Sequence, residues 1–155
     1  MLSCARLTMT ETLDDRESTI FAAFEPTWIE RWREPTGSLT VARLGGSNSL
    51  VLFAGVPTDA AADWLDEHLR RALEGAELTH FVDQGLLDRP NAKVRNVYIG
   101  ALKDVRAELL RAHVYVGDKP LLKMITSAAN MVLGGIGVIH DDVESFDAAL
   151  HEACR

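Results

Sequence analysis

The side chains of this sequence that could carry chemistry are five histidines, a set of aspartates at segment junctions and two cysteines. His68, His80, His113, His140 and His151 include no H-x-H or H-E-x-x-H spacing, so no pair is placed to share a metal. No metal and no cofactor is expected. His140 precedes Asp141, but neighbours along a strand point to opposite faces and cannot act as an acid–base pair. His80 and His113 sit in apolar runs and read as packed, hydrogen-bonded residues. Cys4 and Cys154 lie near opposite ends of the chain, outside any C-x-x-C pair and away from a helix start that would activate a thiolate. In Gly45-Gly46-Ser47-Asn48-Ser49, a nucleophile elbow would need glycine where Ser49 stands. Gly134-Gly135-Ile136-Gly137 follows a helix and precedes a strand, the reverse of a dinucleotide fingerprint. No catalytic set emerges, and the chain is not read as an enzyme.

The aspartates gain meaning from the elements that position them. His113 to Val116 is a short apolar run closed by Gly117, which suits a buried strand. Asp118 then offers an N-cap and Pro120 a first-turn residue. Leu121, Leu122, Ile125, Ala128, Ala129 and Val132 follow at helical spacing. Met124, Met131 and Leu133 widen the stripe, so most of this helix is expected to be buried. Gly134-Gly135 stops it. A second strand is expected over residues 136–140. Asp141 or Asp142 caps the last helix, with Asp141 and Glu144 spaced as a capping box. Two apolar strands joined by a helix make a parallel, right-handed βαβ unit.

Upstream, residues 39–44 and 49–54 read as a hairpin around Gly45-Gly46-Ser47-Asn48. Thr58 caps a helix over residues 59–74, a strand follows at 78–82, and a long helix is expected over 92–110. Residues 19–33 are ambiguous. Ile20, Phe24, Trp28 and Trp32 recur every fourth residue, a helical stripe that Pro26 interrupts. A kinked helix, or a strand followed by a short helix, would fit. The aromatics either close the edge of the core or, through Trp28 and Trp32, form an oligomerising arm. The expected organisation is a flexible segment over 1–16 (with Met9 an alternative start), an aromatic element over 17–37, and one domain over 38–155. Its fold class is α/β: a mixed β-sheet with an N-terminal hairpin and a C-terminal βαβα unit.

A chain of 155 residues can bury a core without staples. Its net charge of −7 argues against general nucleic-acid binding, which needs a basic face. No signal-peptide apolar region and no run long enough to span a membrane is evident, so the expected location is cytoplasmic.

The order of elements resembles the STAS domain, the fold of bacterial anti-sigma factor antagonists and of the cytoplasmic tails of sulfate transporters. It is most similar to small stand-alone bacterial forms. The resemblance covers residues 38–153 and is carried by LVLFAGVPTDAAADWLDEHL, THFVD and VYVGDKPLLKMITSAANMVLG. It continues through Val138-Ile139-His140-Asp141 and the helix from Phe146 to Leu150. It implies a STAS-like fold and a regulatory or assembly module that binds another protein. Antagonists of this type bind through the start of their second helix and release on phosphorylation of a serine there. The matching stretch, Asp88-Arg89-Pro90-Asn91-Ala92-Lys93, has no serine or threonine, so that switch does not carry over. Asn91 reads as an N-cap.

If the three C-terminal strands share a direction, their ends gather Asp83, Gln84, Asp88, Asn91, Asp118, Lys119, His140 and Asp141 at the edge where α/β sheets usually bind ligands. The carboxylates there disfavour a nucleotide and favour a cation or a basic protein partner. The alternative is a small-ligand or lipid-binding domain using the apolar helix at 121–133, with Ser127 and Asn130 interrupting its stripe. A homo-oligomer is possible.

Overall fold

The computed structural model describes residues 11–154. Helix α1 (Leu13–Ala23) leads into β1 (Trp28–Arg33), β2 (Gly37–Leu44) and β3 (Asn48–Gly55). Then come α2 (Ala61–Ala72), β4 (Leu78–Leu87), α3 (Ala92–Asp104), β5 (Leu109–Tyr115), α4 (Pro120–Val132), β6 (Gly137–His140) and α5 (Val143–Ala153). The six strands form one sheet in sequence order. β1, β2 and β3 pair antiparallel, and β3 through β6 run parallel.

Strand alternation divides the interior in two. Leu39, Val41, Val51, Phe53, Val82 and Val114 face α2, α3 and α4. Ala42, Leu44, Leu50, Leu52 and Phe81 face α1 and α5. A one-residue slip in any strand would exchange these sets, which is why the register is firmly specified.

Several boundaries differ from the sequence expectation. Residues 1–10 of the expected flexible segment lie outside the described residues, but residues 13–16 already belong to α1. Thr12 caps it: its hydroxyl accepts from the Asp15 N–H, and Asp15 reciprocates at the Thr12 N–H, both at 3.1 Å. Residues 19–33 are a helix followed by a strand. Trp28 and Trp32, four apart, also satisfy the twofold period of a strand. Their rings lie on α2: Trp32 is 6.0 Å from Trp64, and the Arg71 guanidinium sits 4.6 Å over Trp28.

The helix expected to reach residue 110 ends at Asp104, and a 3₁₀ turn (Arg106–Glu108) hands the chain to β5. Lys119, not Asp118, occupies the N-cap of α4. Asp142 caps α5, accepting from the Ser145 N–H at 2.7 Å, so the capping box placed on Asp141 does not form. The largest departure is α4. Only Leu122 and Thr126 are buried within it, while Leu121, Met124, Met131 and Val132 are 56–82% exposed.

Candidate functional site

β4 runs through Asp83 and Gln84 to Leu87, with a bulge opposite β3 between Leu52 and Ala54. Asp83 and Gln84 therefore belong to the strand itself rather than to the loop beyond it, and they face opposite sides of the sheet. Asp83 points to the α1–α5 side, where it is 3% exposed. There it accepts from Arg16 Nε at 2.6 Å, while Arg16 Nη2 bonds Asp147 of α5 at 2.7 Å. Burial opposes the Arg16 charge, but the hydrogen bonds to Asp147 and the charge of Asp83 outweigh it and raise the guanidinium pKa. Glu17 is anchored in the same way by Thr40, Arg31 and Arg33. Desolvation would raise its pKa, yet these donors hold it below the usual carboxylate range.

The other edge residues have mostly structural partners. Asn91 accepts from the Val94 N–H at 2.9 Å and so caps α3. Lys119 Nζ donates to the carbonyls of Gly85 and Leu87 at 2.6 and 2.7 Å, fastening the start of α4 to the end of β4. Burial lowers its pKa, with Asp88 and Asp83 acting against that. Asp141 pairs with Lys123 at 2.9 Å. Asp88 and Asp118 are exposed. Of these edge residues, only Gln84, Asp88 and Asp118 have side chains without a hydrogen bond or ion pair among the described residues.

His140 turns toward α5. Its Nε2 lies 3.0 Å from His113 Nδ1, and its Nδ1 lies 2.7 Å from Ser145 Oγ. His113 also stacks on Phe81, 4.9 Å between centroids. A proton on both facing nitrogens would break the contact between the two imidazoles. Desolvation, then the charges of His140 and Arg111, push His113 down to about 4. Desolvation also lowers His140, with Asp142 pulling the other way. Ser145, His140 and His113 follow one another as a nucleophile, base and orienter would. Ser145, however, is flanked in sequence by Asp141, Asp142 and Glu144, where a developing oxyanion would meet negative charge. The fully buried His80 bonds Ser49 Oγ at 2.7 Å and Tyr98 Oη at 2.8 Å, and burial pushes it down to about 3. These histidines hold the sheet to its helices.

On the opposite face, α3 and α4 stand apart over β4, β5 and β6. The cleft between them measures about 540 Å³ counting its open mouth. Val82, Val114 and Ile139 form its floor, Ile99 and Leu102 one wall, Ile125 and Ala129 the other. A second hollow of about 420 Å³ continues it past Tyr98 to Phe53, Leu87 and Leu122, below the rim that holds Asn91. The far end of α4 is fixed by Asn130, whose Oδ1 accepts from the Gly137 N–H at 2.7 Å. A Cβ on Gly137 would stand 2.7 Å from that same oxygen, so a side chain there would push the Asn130 carboxamide off its bond. Arg106 Nε reaches the Leu133 carbonyl at 2.7 Å.

Sequence reasoning pointed to Gln84 and to the apolar helix of the cleft. It missed Arg95 and Thr126, which line the cleft from α3 and α4. Thr126 lies four residues from Leu122 and three from Ala129, on the inward stripe, and that spacing was the available signal. Among the described residues, no three or more His, Cys, Asp and Glu side chains gather as a metal site would require. No described helix is long and apolar enough to cross a membrane.

A six-stranded mixed sheet, antiparallel at its start and parallel through βαβα to its end, defines a STAS-like module with a SpoIIAA-like fold. A solved structure with this fold is that of an uncharacterised DUF3478-family protein from Shewanella loihica PV-4. The two superpose with a TM-score of 0.55 at 17% identity, over 94% of this chain and 99% of that one. At that identity the likeness establishes the fold. No protein-family model and no curated protein sequence matches the chain.

Proposed function

We propose that this chain is a non-enzymatic regulatory or assembly module that binds another protein across the strand-end rim and the outer face of α4. The observation that carries this reading is the exposure of Leu121, Met124, Met131 and Val132 on one helix, at 56, 65, 82 and 60%. Apolar side chains of this size, grouped and left in water, mark interaction surfaces, and methionines adapt readily to a partner's shape. Gln84, Asp88 and Asp118 supply a polar border beside them. The serine of the antagonists is missing from Asp88 to Lys93, so binding is not released by phosphorylation at that turn.

Affinity capture with the wild-type chain and with Met124→Glu/Met131→Glu tests this. The double variant should fold normally, because both residues are exposed, and should lose partners that the wild type retains. Equal recovery of the same proteins by both would remove α4 from the interface. Sedimentation velocity of the wild-type chain alone separates a foreign partner from a second copy.

A second reading is favoured by a separate observation, the apolar cleft between α3 and α4. Its lining is mostly apolar with a few polar side chains, the composition that small-molecule sites share. In this reading the cleft takes a small ligand or lipid fragment, and α4 is apolar on two sides because one side faces the guest.

A further inference from the structure

Three polar side chains face the cleft without partners of their own. Gln84 on β4, Arg95 on α3 and Thr126 on α4 all line it. None makes a hydrogen bond or ion pair among the described residues. Thr126 is only 8% exposed and lines the cleft without a side-chain hydrogen bond among the described residues. Elsewhere in this fold several buried polar groups are bonded, Ser49 to His80, His80 to Tyr98 and Asp83 to Arg16, while the buried Nε1 atoms of Trp28 and Trp32 are not. The three cleft side chains differ from the bonded groups in leaving their hydrogen-bonding capacity unused within the chain.

Their chemistry is set by the one charged group. The guanidinium of Arg95 only donates, and the Thr126 hydroxyl and Gln84 carboxamide, which can donate or accept, can both turn a donor toward the same acceptor. Any guest that displaces their water must bring acceptors, since an unmatched charge in an apolar wall is costly. A carboxylate fits the planar fork of arginine best. The local field agrees. Residues 92–133, which carry both cleft helices, hold seven lysines and arginines against three carboxylates, although the whole chain has a net charge of −7. Ile99, Ile125 and Ile139 make the remainder of the cleft apolar.

We infer that the cleft binds an amphipathic monocarboxylic acid, with its apolar chain or ring against Ile99, Ile125 and Ile139 and its carboxylate on Arg95. Thr126 and Gln84 donate to the same head group. This rests on the cleft reading above and adds the class of ligand.

Isothermal titration of the full chain with octanoate, and with 1-octanol as the uncharged match, tests both levels. Octanoate should bind the wild type with one-to-one stoichiometry. Arg95→Gln should weaken it about ten- to hundredfold, the value of a charge-assisted hydrogen bond, and Arg95→Lys by less. Octanol should bind more weakly and equally in all three proteins. Ala129→Phe, which fills the cleft, should abolish both. If octanoate binds wild type and Arg95→Gln alike but not Ala129→Phe, the acid anchor is refuted while the cleft remains a ligand site. If neither probe binds the wild type, or if octanoate binding survives Ala129→Phe, the cleft reading itself falls.

Discussion

The two faces of the sheet solve the same problem in opposite ways. On the α1–α5 face, the buried charges Arg16, Glu17 and Asp83 are each matched by a partner from another element. Phe81, Phe146 and Leu150 fill the space around them with almost no exposure. Under α3 and α4, the other face keeps an apolar cleft, three unmatched polar side chains and a helix with its large apolar residues in water. A chain able to close one face this thoroughly had the same means available for the other. The contrast is that the chain closes the first face with its own partners, whereas on the second it leaves groups that, in the function proposed above, a partner or guest would cover.

The sharpest way to break that contrast is Arg16→Met. It leaves Asp83 nearly fully buried beside an apolar side chain, and removing one member of a buried pair costs about 3–5 kcal/mol. Urea unfolding should show that loss, with α1 detaching first by hydrogen exchange. A change below about 1 kcal/mol would mean that the ion network does not hold the closed face together.

The next effect is pH-dependent. The folded pKa of His113 is about 4, below the 6.5 it returns to on unfolding. As pH falls, the unfolded chain takes up the proton first. This contribution to stability is complete above about 6.5 and is lost as pH drops toward 4. Between pH 7 and 5 the sum for one such histidine is about 2 kcal/mol. His113→Phe keeps the stack on Phe81 and should flatten the stability profile by about that amount. An unchanged slope would place the acid sensitivity elsewhere, for instance in His80, which is pushed down to about 3 by its complete burial.

How much of this was legible beforehand follows the same division. The hairpin, the parallel C-terminal strands and the cap at Asn91 were readable, because alternation, turn residues and capping are local signals. β1 was not, since Trp28 and Trp32 fit periods of both two and four, and only the pairing with β2 decides between them. The Arg16–Asp83–Asp147 trio spans 67 and 131 residues of sequence and leaves no local trace. For α4 the pattern misled in an informative way. Its composition predicts that most of it is buried, but apolar content records only that a surface prefers to leave water, not whether the chain itself supplies the cover. At the strand-end rim, sequence located the residues and could not tell that Asp83 is spent on Arg16 and Lys119 on two carbonyls.

Two smaller effects sharpen the comparison from the open face. Met124→Gln and Met131→Gln should each change unfolding stability by no more than about 0.5 kcal/mol, as exposed positions do. A loss of 2 kcal/mol from either would show that α4 is packed in solution and that its outer stripe is not a free surface.

The smallest effect is Thr126→Val, and it is the most discriminating because the residue is buried. A buried hydroxyl that holds a partner costs roughly 1–3 kcal/mol when that partner is left unsatisfied, whereas replacing an unmatched hydroxyl by a methyl group of the same shape is nearly neutral or stabilising. Thr126 sits on the inward stripe of α4 at 8% exposure, with no bond of its own among the described residues. Its valine variant should therefore unfold at the same urea concentration as the wild type or slightly above it. A destabilisation beyond 1 kcal/mol would mean that the hydroxyl serves the fold. Neutral stability combined with weakened octanoate binding assigns the hydroxyl to a guest, and it does so at a position where burial alone would have suggested a structural role.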